Sequence, residues 1–114
     1  MIARAAMILA ALGLLASAPV ARADEPLTVK EILRLFPGTF RAVVRGKYTL
    51  KVTVSRDGVI VGEVPGLQDE GRWTVRGNQL CIVMPAMTRG RVECSVVVAD
   101  GSWYRGRNVV FQPL

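Results

Sequence analysis

From residue 39 onward apolar and polar side chains alternate with a period of two, and short turn dipeptides break the alternation about every ten residues. The pattern is clearest where Tyr48, Leu50, Val52 and Val54 alternate with Lys47, Thr49, Lys51, Thr53 and Ser55. A stretch of that kind buries one face of a strand and wets the other. Asp57-Gly58, Pro65-Gly66, Gly77-Asn78 and Asp100-Gly101 stand at the breaks, and further strands are predicted over 59–64, 71–76, 79–84, 91–99, 102–104 and 108–111. None of the intervening turns is long enough for a crossover helix. Six to eight short antiparallel strands, each paired with its neighbour in sequence, are therefore expected. A flat meander of this size would expose an apolar face and two edges. The predicted fold is mainly β, a meander curled into a small barrel or half-barrel with one short N-terminal helix plugging an open side.

The helix is written in residues 27–38. Thr28 is a good N-cap, Glu31 completes a capping box three residues later, and Leu27 and Ile32 are spaced for a hydrophobic staple across the cap. Val29, Ile32, Leu33 and Phe36 fall on one face at i, i+3, i+4 and i+7, and Pro37-Gly38 ends the segment after about nine residues. So short a helix needs packing against another element to persist.

Ahead of this domain, residues 1–23 read as an export signal. Arg4 precedes an apolar run over 5–15, and Ala21-Arg22-Ala23 matches the small-x-small pattern of a cleavage site. The mature domain is then residues 24–114. The apolar run is about half the roughly 20 residues that span a bilayer. Cleavage would leave 13 basic residues against 9 acidic ones, an excess of +4. In an oxidising compartment the two cysteines, Cys81 and Cys94, are expected to form a disulfide across adjacent strands. Closing that loop of about 14 residues contributes on the order of 3 kcal/mol.

The chain has no histidine, which removes the imidazole base and His-ligated metal sites. Its carboxylates are scattered; the internal pair Asp69-Glu70 would point to opposite sides of a strand. Met84 and Met87 offer two soft thioethers, too few for a copper site without a further ligand. No catalytic residue, no metal and no cofactor is predicted. Trp73 is expected in the core, near the disulfide.

The Leu27-Thr28-x-x-Glu31-Ile32 segment, Asp57-Gly58, Gly71-Arg72-Trp73, Leu80-Cys81, Cys94 and Asp100-Gly101 together resemble a group of small exported proteobacterial proteins without assigned activity. Ile82-Val83-Met84-Pro85 departs from that group's pattern, which places an aromatic shortly after the Leu-Cys pair. The resemblance implies a secreted or periplasmic β-rich domain and carries no catalytic residues with it.

Candidate binding residues lie near the C-terminus. Trp103 and Tyr104 are consecutive, so strand alternation turns one of them outward, beside Arg105 and Arg107. Arg45, Lys47, Lys51, Arg72 and Arg76 could join Arg105 and Arg107 in weak contact with an anionic surface. No nucleic-acid recognition motif is present. The functional expectation is a monomeric, non-catalytic binding module for another envelope protein or a small apolar ligand. The protein partner ranks first, because a barrel of about 90 residues keeps little spare volume once its side chains fill it. The alternative is an inhibitor of a secreted or periplasmic hydrolase.

Overall fold

The computed structural model describes residues 25–114. The export signal expected over 1–23 and its cleavage before Asp24 lie outside the described residues. One helix, α1 (Val29–Arg34), precedes nine strands: β1 (Gly38–Val44), β2 (Tyr48–Val54), β3 (Val59–Val64), β4 (Leu67–Arg76), β5 (Gln79–Val83), β6 (Glu93–Val96), β7 (Val98–Asp100), β8 (Trp103–Gly106) and β9 (Val109–Pro113).

All the pairings are antiparallel, in the order β6-β5-β4-β3-β2-β1-β9-β8-β7. The two edges of this sheet, β6 and β7, are separated only by Val97. They amount to a single bent strand whose first half pairs with β5 and whose second half pairs with β8. That bend curls the meander into a nearly closed barrel, as the alternation predicted. The N-terminal arm covers part of the remaining edge: Pro26 bridges to Val98, and the Leu27 amide donates to the Val97 carbonyl at 2.7 Å.

Because every strand reverses the last, the connections separate into two ends. The β2–β3, β4–β5 and β7–β8 turns share one end with α1. The β1–β2, β3–β4, β5–β6 and β8–β9 connections share the other. Inward positions form the core: Phe40 and Ala42 on β1, Leu50 and Val54 on β2, Ile60 on β3, Leu80 on β5 and Phe111 on β9 are all buried. A string of aromatic contacts runs through it, Phe36 to Phe40 at 5.8 Å, Phe40 to Phe111 at 5.6 Å and Phe111 to Tyr104 at 5.5 Å between ring centroids. Each such pair adds about 1 kcal/mol beyond the area it buries.

The helix keeps its predicted start and loses part of its predicted length. Thr28 Oγ1 accepts from the Glu31 amide at 3.2 Å, while the Thr28 amide donates to Glu31 Oε1 at 2.9 Å, closing the capping box. These bonds, the backbone one foremost, hold the Glu31 carboxyl below its ordinary pKa. The helix then stops at Arg34 instead of reaching Pro37. Of the expected apolar stripe, Ile32 and Phe36 are buried, but Val29 and Leu33 are 41% and 47% exposed. A barrel end is narrow, so one short helix laid across it inserts a single turn's side chains rather than a whole face.

Candidate functional site

The barrel encloses an apolar cavity of about 410 Å³. This corrects the expectation of little spare volume. Small residues, Ala42 on β1 and Gly106 on β8, are among those that line it. The floor, next to α1, is built from Phe36, Phe40 and Trp73. Trp73 packs on Phe36 with ring centroids 4.8 Å apart, and its indole N–H donates to the Ser55 carbonyl at 2.7 Å. The one polar atom of the floor thus has a partner.

Above this floor the end opposite the helix is partly covered. The 84–92 connection folds back over β3, β4 and β5, burying Met84 and Thr88 and turning Met84 and Met87 toward the cavity. Its conformation is set by hydrogen bonds: the Met84 amide donates to Thr88 Oγ1 at 2.9 Å, and that hydroxyl donates back to the Met84 carbonyl at 3.0 Å. Asp69 braces the same loop from β4. Its Oδ2 accepts from the Met87 amide at 2.8 Å and its Oδ1 from the Ala86 amide at 3.1 Å. Gly71, two residues further along the same inward row, is a matter of space. A Cβ there would collide with the Val83 carbonyl oxygen and lie 2.8 Å from Met84 Cγ.

The remaining part of that end is open. The β8–β9 hairpin turns at Arg107 and Asn108, on the same rung as the β1–β2 hairpin, since Val109 is opposite both Gly106 and Val44, whereas β6 runs past Ser95 to Glu93 and does not pair with β8. This unpaired seam between β6 and the β8–β9 hairpin leaves a notch. Arg45, Val92, Glu93, Ser95, Arg107 and Asn108 line its rim. Ser95 Oγ fastens the notch floor by accepting from the Arg107 amide at 2.7 Å, and the Arg45 amide donates to the Asn108 carbonyl at 2.7 Å. Arg45 and Asn108 hold φ values of 55° and 62°, so both residues beside the mouth sit in the left-handed region.

Cys81 and Cys94 form the expected disulfide directly across β5 and β6. Their Cα atoms are 4.0 Å apart, the spacing of a pair that does not exchange backbone hydrogen bonds. The Cys94 N–H and C=O therefore point away from β5 and toward the notch. Trp73 does not lie beside this disulfide. Cys81 is opposite Thr74, and Thr74 alternates with the inward Trp73 and Val75, so the disulfide is on the outer face of the wall.

The residues singled out near the C-terminus do not converge. Tyr104 turns inward and stacks on Phe111, and Trp103, also half-buried, lies at the helix end. Arg105 is on the outer wall, 3.7 Å from Asp100. Arg107 alone reaches the cavity mouth. Asn108 has no counterpart among the sequence candidates, Arg45 figures there only among cations that could meet an anionic surface, and Asp69 only as half of a carboxylate pair. Asp69 was detectable: it shares the inward phase of Trp73 and Val75, but β4 was expected to start only at Gly71.

Among the described residues, no group of three or more His, Cys, Asp or Glu side chains is placed to hold a metal ion. Nor is any helix among them long and apolar enough to cross a membrane. Comparison with family models, curated proteins and solved structures finds no match.

Proposed function

We propose that the protein is an exported, non-catalytic carrier that holds a small apolar ligand inside the barrel. The observation that carries this reading is the cavity of about 410 Å³, apolar through its depth, with charged side chains only at its mouth. Its volume falls in the range of roughly 300–1,000 Å³ found for small-molecule sites. Arg45 and Arg107 at the rim suit an anionic or polar end on that ligand, and Met84 and Met87 give the wall a lining that adapts to its shape. The disulfide supports an oxidising compartment, either the periplasm or the exterior. This reading reverses the order in which the two partners were expected, because the interior is hollow.

The test is binding of a lipophilic fluorescent probe such as N-phenyl-1-naphthylamine, excited by energy transfer from Trp73. The native protein should bind it at one site per chain. Ala42→Phe fills the cavity and should weaken binding by at least tenfold while keeping the melting temperature at or above that of the native protein. Probe binding untouched by Ala42→Phe would refute an interior site. A tight complex with an envelope hydrolase, in material that binds no probe, would favour the inhibitor reading instead.

A further inference from the structure

The open end has a surface composition that ligand binding inside the barrel does not require. Arg45 and Lys47 on the β1–β2 connection, Arg89 and Arg91 on the 84–92 loop and Arg107 on the β8–β9 turn are all exposed there. Glu93 is the exposed acid on these loops; Glu63, half-buried on β3, faces Lys51 across the β2–β3 pair, Asp69 is engaged by the Ala86 and Met87 amides, and the exposed Glu70 stands beside it on the β4 wall. Three apolar side chains stand on the same rim: Tyr48 is 52% exposed, Leu67 58% and Val92 53%. Three loops thus carry cations, and the β3–β4 hairpin, which carries none, contributes Leu67.

At the helix end the balance is different. Lys30, Arg34, Arg56 and Arg76 are matched by Glu25, Glu31, Asp57 and Asp100. The basic residues that could have gathered on one face are divided. Arg45, Lys47 and Arg107 lie at the open rim, Lys51, Arg72 and Arg105 on the outer wall, and Arg76 at the far end.

We propose that the open end is a docking surface for an anionic phospholipid bilayer, with the cavity mouth turned toward the lipid. Cations on separate loops around one rim complement a charged plane better than a single acidic groove on a protein. Apolar tips in the same ring reach the level of the headgroups and acyl chains. Each Lys or Arg held near an anionic leaflet contributes about 1 kcal/mol, so five of them support reversible, salt-sensitive attachment without any membrane-spanning segment. The docking surface does not depend on the cavity being loaded.

The experiment is co-sedimentation of the oxidised protein, residues 24–114, with vesicles of phosphatidylethanolamine and phosphatidylglycerol, and with vesicles of phosphatidylcholine alone. Binding should appear on the anionic vesicles at about 50 mM salt and vanish by about 500 mM, where screening is nearly complete within a few ångströms. The triple variant Lys47→Gln, Arg91→Gln, Arg107→Gln should lose on the order of a hundredfold in partitioning, about fivefold per cation. A matched triple at the other end, Lys30→Gln, Arg34→Gln, Arg76→Gln, should stay within about twofold of native on the same scale. Melting temperatures of both triples within a few degrees of native would show that folding is not the cause. Val92→Ser, which changes no charge, should lower anionic-vesicle binding severalfold. Absent binding to anionic vesicles at low salt, equal losses in the two triples, or salt-resistant binding to phosphatidylcholine would each overturn the proposal. So would selective capture of an acidic envelope protein by the rim without vesicle binding.

Discussion

The two ends of the barrel solve the same problem differently. At the helix end, Ile32 is fully buried, Phe36 and Trp73 close the floor, and the charges of the surrounding turns balance. At the other end, a loop covers part of the opening, and the unpaired seam between β6 and the β8–β9 hairpin leaves the rest as a notch with a basic rim. Stability is concentrated at the first end and access at the second. A segment that seals a core must bury apolar atoms, whereas one that admits a ligand must leave some of its surroundings unfilled.

The sharpest way to break this contrast is to unseal the helix end. Ile32→Ala removes the plug's fully buried side chain and should cost about 4 kcal/mol, lowering the melting temperature by roughly 20 °C. It should also give the cavity a second entrance, seen as faster probe association in stopped flow. An unchanged association rate would mean that the floor formed by Phe36 and Trp73 seals the barrel unaided.

Next in size is the cystine, which pins β6 to β5 beside the notch. Cys81→Ser with Cys94→Ser should cost about 3 kcal/mol in thermal or denaturant unfolding. Its local signature should be lost amide protection in β6, whose other edge is fastened to the β8–β9 turn, among the described residues, through Ser95. Loss of protection spread evenly over the sheet would argue against a weak seam at the mouth.

The smallest effect concerns acid at the helix end. The Thr28 bonds hold Glu31, and the Ser55 hydroxyl foremost holds Asp57, below their ordinary pKa values. A carboxylate whose pKa is depressed by folding contributes fully above its unfolded value, and the contribution is lost as pH falls through the folded one. Amide exchange at Glu31 and Val59 should therefore quicken below about pH 4 and stay unchanged between about pH 5 and 7. Equal rates at pH 3 and pH 6, after correction for intrinsic exchange, would show that neither cap matters.

Much of the scaffold is legible because local rules govern it. Thr28 and Glu31 specify the helix start through bonds three residues apart, and Val59–Val64 is bounded by turn residues on either side. The disulfide follows from compartment and parity. What escaped depends on distant neighbours. Leu67 and its successors fall outside the strands expected on either side of Pro65-Gly66, yet pair with β3 and extend β4 to ten residues. The 91–99 run reads as one strand, and its bend at Val97 appears only because β5 and β8 claim different halves of it. The site was less legible than the fold. Arg45 and Arg107 are candidates for other reasons, whereas Asn108 and the rim residues Arg89 and Arg91 acquire meaning only through the loops that stand next to them.

By itself, then, the amino-acid order determined the strands, most of their turns, the helix cap and the cystine, all of which depend on period, conformational preference or pairing within short stretches. Only the tertiary structure decided that the interior is hollow and where it opens. A cavity is what the side chains of several strands fail to fill together, and a mouth is a seam between strands whose pairing partners lie elsewhere in the sheet.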